Sequence, residues 1–324
     1  MKESLLTIFS QENDFFKLTN SAKRLPSIWL SSFLLPVLFV VLSGLLTQYV
    51  LSPLYFGDPK GASSFARQAF GLYALFGSII LLIFIWMRTF EGRWPSSIGF
   101  TKPKFIKRYA YGFLIGIGMN FTVVGLIAVF GSVNFETSII NPTGIAAIGG
   151  VTIMLFGFVI QGASEEILAR GWMFQVIGAR YKPWIGAIVT SVFFSLLHLG
   201  NSGINIVAVF NLVLFALLMV LFVMKDGSLW SACAWHTSWN WTLGNVLGLS
   251  VSGTGEKVSL FNLSTSGHDL ITGGGFGPEG SLITTTVLIV AVGLTSAIIL
   301  RNSKNKIDEE VMHSDDIQIS VDEI

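Results

Sequence analysis

The stretch IAAIGGVTIMLFGFVIQGASEEILAR, residues 145–170, decides how the chain reads. Residues 145–164 carry no charge, and then Glu165, Glu166 and Arg170 follow in close succession. An apolar run of that length is what crosses a hydrocarbon layer about 30 Å thick as a helix. Ionisable side chains inside such a segment are rare, and they face a bundle interior or a watery cavity where they find partners. Helix geometry gives the two carboxylates different surroundings. Glu166 and Arg170 stand four apart, in the Glu-before-Arg order that favours an ion pair on one face. Glu165 points about 100° away around the same helix and is free to face a different cavity. A carboxylate placed there suits general acid or base work.

The rest of the composition agrees with a membrane setting. Of the 324 residues, 52% are hydrophobic and only 12% charged, too little polar surface for a water-soluble domain. The net charge of +1 gives no global field for nucleic acid, which is not expected as a partner. The single cysteine, Cys233, excludes an internal disulfide and a cysteine-rich metal site. No cleavable signal peptide precedes the first apolar run, so that run is expected to act as an uncleaved anchor.

Working outward, the expected fold is an all-α polytopic membrane bundle of about eight transmembrane helices. Residues 1–27 form a polar N-terminal segment. Residues 28–144 hold three spans, with a basic loop over 88–108 in which Arg88, Arg93, Lys102, Lys104, Lys107 and Arg108 alternate with Trp94, Phe100 and Phe105. That mixture suits a segment lying at the membrane interface. Gly112 and Gly116, four apart, allow a close helix approach. Residues 145–249 carry four spans and the polar motifs. Residues 250–300 read as a flexible Gly- and Ser-rich loop followed by the last span. Residues 301–324 form an acidic, solvated and disordered tail, with seven acidic and no basic residues from 307 onward. With eight spans both termini share one side, which holds 17 of the 20 Lys and Arg residues against 3 on the other. The positive-inside rule then makes both termini cytoplasmic. An integral membrane protein of the cell membrane, in contact with the lipid bilayer, is expected.

Further polar positions fall inside apolar stretches. His198 closes Phe194-Ser195-Leu196-Leu197-His198, and His236 stands four before Asn240, on one helix face. Taken singly, each of these residues is as well explained by a helix–helix hydrogen bond. Together, neutral imidazoles, an amide and a carboxylate can bind a water, a metal ion or a developing oxyanion.

That joint pattern resembles the CPBP intramembrane proteases, which comprise the CAAX prenyl endopeptidases and the bacteriocin-processing and immunity proteins. The motifs read Glu165-Glu166-x-x-x-Arg170, Phe194-x-x-x-His198 and His236-x-x-x-Asn240, in order, within 151–249. The resemblance implies an intramembrane endopeptidase that hydrolyses a peptide bond in a membrane-associated substrate, CAAX-type or of the leader or bacteriocin type. It implies Glu165 as the residue that activates water. His198, His236 and Asn240 would position that water and stabilise the oxyanion, with Glu166, Arg170 and Phe194 in support. Glu165, His198 and His236 with an open fourth position would also suit catalytic Zn²⁺, although a glutamate-activated water is preferred. The partner is a peptide or membrane-protein substrate reaching the site from the cytoplasmic face. Two other functions compete, an ion-coupled transporter and a catalytically silent immunity or scaffold protein.

Overall fold

In the computed structural model, residues 9–58, 60–130, 132–136 and 141–322 are described, without the side chains of 304 and 306–322. The first eight residues of the N-terminal segment and the His313 side chain lie outside the described residues. The chain is an all-α bundle. Its long helices are α1 (Leu30–Phe56), α2 (Ser64–Glu91), α3 (Phe105–Val129), α4 (Gly144–Arg180) and α6 (Ile206–Asp226). The shorter α5 (Pro183–Leu196) and α7 (Trp230–Trp241) are followed in the chain by α8 (Leu282–Asp322). Local chemistry sets several ends. The Ser63 side chain accepts from the Ala66 amide and the Asn205 side chain from the Ala208 amide, each capping a helix start. Pro183 opens α5 where its missing N–H costs nothing.

Among the described residues, six helices are long and apolar enough to cross a membrane, fewer than the expected eight. The two that fall short are α5 and α7. At 14 residues α5 is only about 21 Å long, because the turn around Gly200 and Gly203 breaks it after Leu196. Adding the π turn Thr242–Val246 lengthens α7, but that helix carries His236, Thr237, Ser238 and Asn240. The bundle is an integral membrane protein. Large apolar side chains such as Leu45, Val129, Ile188 and Leu294 stand exposed on its outer face, where lipid rather than water is the fitting solvent.

Three helix contacts position the centre. Parallel α3 and α7 approach so closely that a Cβ on Gly112 would stand 2.1 Å from the Ser231 carbonyl oxygen, and one on Gly116 2.7 Å from that of Trp235. Only glycine fits there, and Asn120 locks the pair by donating to the Trp239 carbonyl at 2.8 Å. Antiparallel to α7 runs α4, tied by Thr237 Oγ1 to the Phe158 carbonyl (3.2 Å) and Trp241 Nε1 to the Val151 carbonyl (3.0 Å). Parallel to α4 runs α2, with Tyr73 bonded to the Ile153 carbonyl at one end and Trp172 to Glu91 at the other.

Three expectations change. The segment 88–108 is only partly interfacial: Trp94 is exposed, but Glu91 and Arg93 are fully buried as an ion pair at 2.6 Å, held by Trp172 and Gln175. Such a pair survives without water because each charge has a partner. The stretch 250–280 is a packed cap rather than a flexible loop. Its strand β2 (Leu263–Thr265) pairs antiparallel with β1 (Val133–Phe135), and Glu279 accepts from Trp239 Nε1 (2.9 Å) and Ser252 Oγ (2.9 Å). Finally, helical backbone continues to Asp322 where a disordered tail was expected. Extending an existing helix needs no new nucleus.

Candidate active site

Midway along α4 the helix widens. Regular α geometry ends at Glu166, and Ile167–Phe174 forms π turns before α geometry resumes at Gln175. Wide turns of this kind recur at functional sites, and this one begins directly after the carboxylate pair. Glu166 and Arg170, both without solvent exposure, pair at 3.1 Å as their spacing predicts. Across the gap α7 brings His236, whose Nδ1 lies 2.9 Å from the same Glu166 oxygen. An ionised carboxylate only accepts, so Nδ1 carries the proton and Nε2 presents its lone pair. The Arg170 guanidinium sits 4.7 Å over the Phe194 ring, which covers a cation whose Nε and Nη2 find no hydrogen-bond partner.

Glu165 turns the other way, into a cavity of about 500 Å³. Its Oε1 accepts from Gln161 Nε2 at 2.7 Å, and Gln161 Oε1 accepts from Asn240 Nδ2 at 3.0 Å. Its Oε2 has no hydrogen-bond partner and stands 3.6 Å from His236 Nε2. His198 lies just beyond the end of α5 and lines the same cavity. Its Nδ1 is 2.9 Å from the Phe194 carbonyl, so Nδ1–H donates there and Nε2 is the remaining nitrogen. The Phe194 ring packs near both imidazoles, with centroids 4.9 Å from His198 and 6.0 Å from His236. Glu165, Phe194, His198, His236 and Asn240 therefore share one cavity, with Glu166 and Arg170 buried behind it.

Residues not singled out from the sequence also belong here. Gln161, one turn before Glu165, joins Glu165 to Asn240, and its i, i+4 spacing was the available signal. Phe215 packs edge-on to His236 at 5.0 Å. Glu256 and Glu279 line the cavity from the packed cap, which a reading of 250–280 as flexible concealed. Burial pushes the Glu256 carboxyl up to about 7, against the lowering effects of its bond from Asn245 and of nearby Lys257. The folded protein therefore holds this proton between pH 4.5 and 7 where the unfolded chain has lost it, so stability falls as pH rises through that window. Glu256→Gln is expected to remove the fall, raising stability at pH 8 by about 1–2 kcal/mol after allowance for partial exposure. Melting temperatures of both proteins from pH 5 to 8 check this.

Among the described residues, no group of three or more His, Cys, Asp or Glu is gathered to hold a metal ion. His236 Nδ1 is taken by Glu166, which leaves its Nε2 beside Glu165 Oε2.

Residues 147–242 match the family model described as Rce1-like, type II CAAX prenyl endopeptidase. The matched segment contains every residue of the three motifs. No curated relative and no solved structure matches the chain.

Proposed function

We propose that this membrane protein, carrying its Rce1-like segment on α4 to α7, is an intramembrane endopeptidase in which Glu165 activates water for attack on a peptide bond. The observation that carries the reading is the unpartnered Glu165 Oε2 in the cavity, 3.6 Å from the lone pair of an oriented His236. A water accepted by both atoms donates one hydrogen to each and aims its own lone pair at a bound carbonyl carbon. Glu165 takes the proton as the new C–O bond forms. The carbonyl π electrons move onto oxygen, where the second N–H of Asn240 and a protonated His198 Nε2 donate to the oxyanion. Collapse re-forms the C=O bond, breaks the C–N bond and returns the proton from Glu165 to the departing amine. Glu166 holds His236 in the required tautomer, and Arg170 pairs with Glu166 from behind. No step uses a metal.

The substrate is a membrane-associated peptide or protein, of the CAAX or the leader type. Both termini are cytoplasmic on the strength of the basic-residue distribution, and the cell membrane is the setting proposed. The test is cleavage of a fluorogenic peptide panel, farnesylated CAAX peptides included, by protein purified in detergent. Wild type is expected to cleave equally with and without a chelator, and His198→Ala to lose at least about 10²-fold in kcat. Equal rates in wild type and His198→Ala would overturn the assignment.

A further inference from the structure

The helix directions fix towards which face of the bundle the polar lining of the cavity lies. Helices α4 and α2 both start on the face away from the termini, while α3 and α7 both start on the terminus face, as their pairings require. The cavity is lined by Gln68 near the start of α2, Asn201 beyond the end of α5, Asn211 near the start of α6 and Thr284 near the start of α8. The cap adds Thr254 and Glu256. All of these lie towards the face opposite the termini.

The terminus face is sealed. Residues Asp14–Lys17 form a helical turn that drives Phe15 and Phe16 into the bundle, where they meet Phe174 at 6.1 and 5.2 Å. Gln175 donates to the Phe15 carbonyl (3.1 Å), and Gln11 to the carbonyls of Gly178, Ala179 and Tyr181 at the end of α4. The buried Glu91–Arg93 pair and Trp172 fill the layer beneath. A substrate approaching from that side meets packed aromatic side chains and a buried ion pair.

We propose that the site takes its peptide from the face opposite the termini, which the basic-residue distribution makes the exoplasmic side. This replaces the cytoplasmic approach expected from the sequence, and it rests on the proteolytic reading above. The substrate is then a peptide segment exposed outside the cytoplasm. The cavity lining fits such a segment when it is neutral or cationic: Glu165, Glu256 and Glu279 line it, and no Lys or Arg does so among the described residues.

The chain's single cysteine is buried in α7, so Cys233→Ser gives a clean background for labelling. Gly200→Cys and Gly255→Cys place a thiol in open space beside cavity-lining Asn201 and Thr254. Lys107→Cys marks the terminus face, where Lys107 is exposed. Intact cells are treated with a membrane-impermeant maleimide, and labelling is compared before and after permeabilisation. The expected result is labelling of Gly200→Cys and Gly255→Cys in intact cells, and of Lys107→Cys only after permeabilisation. The reverse pattern, or identical labelling at all three positions, would overturn the proposal. Labelling needs no catalysis, so it decides the question even if the proteolytic reading fails. Where a panel peptide is cleaved, a bulky maleimide on Gly255→Cys should cut the rate at least about tenfold and one on Lys107→Cys should leave it unchanged. Block from Lys107→Cys alone would also overturn the access route.

Discussion

Glu165→Gln is expected to lower the cleavage rate by about 10³-fold, within the range that general-base groups contribute, while leaving the fold intact. The amide keeps the shape of the side chain, and its oxygen can still accept from Gln161 Nε2, the one hydrogen bond that Glu165 makes to the protein. What is lost is the acceptor at Oε2, which stands unpartnered beside His236. A neutral amide cannot take a proton from water, so the loss falls on kcat rather than on binding. Full kinetics on any peptide the wild type cleaves, with a melting curve on the same preparation, check both halves. An unchanged melting temperature separates a missing base from a misfolded protein.

The second large effect is on stability. Arg170→Ala leaves Glu166 without its cation in a place with no solvent exposure, and removing one partner of a buried pair costs about 3–5 kcal/mol. It also uncovers the Phe194 ring on which the guanidinium rests. Activity falls as well, because the Glu166 oxygen that Arg170 holds is the one that orients His236 Nδ1. Replacing both partners, as Glu166→Gln with Arg170→Met, leaves no uncompensated charge and is expected to recover most of the stability. The double variant remains slow, since an amide does not hold the His236 Nδ1–H, and so its tautomer, as a carboxylate does. Denaturation midpoints of the single and double variants measure the difference.

The sequence made some of this legible and hid the rest for identifiable reasons. The Glu166–Arg170 pair follows from its spacing, because both residues lie on one helix and need no tertiary information. The grouping of Glu165, His198, His236 and Asn240 in one cavity was legible only as three motifs in order. Their meeting depends on the glycine contacts of α3 with α7 and on the antiparallel packing of α4 on α7. Gln161 is neutral and sat unnoticed in an apolar run, although it bridges Glu165 to Asn240. The shortness of α5 was missed because apolar composition continues to Leu199 while the helix stops at Leu196. The cap over 250–280 was misread because Gly and Ser, which signal flexibility, here serve close packing. A Cβ on Gly253 would stand 2.1 Å from the Ser202 carbonyl oxygen. The entry from the opposite face that we propose also rests on tertiary packing, with Phe15 and Phe16 closing one face and the cap residues lining the other.

The most direct test of the account is the cleavage rate of purified Glu165→Gln beside Glu165→Asp and wild type, each with its melting temperature. The account predicts a folded Glu165→Gln protein that cleaves about 10³-fold more slowly than wild type, and a Glu165→Asp protein that retains more activity because a carboxylate is kept at a shorter reach. A Glu165→Gln protein that cleaves at the wild-type rate would contradict it, since no amide can serve as the base that this site requires.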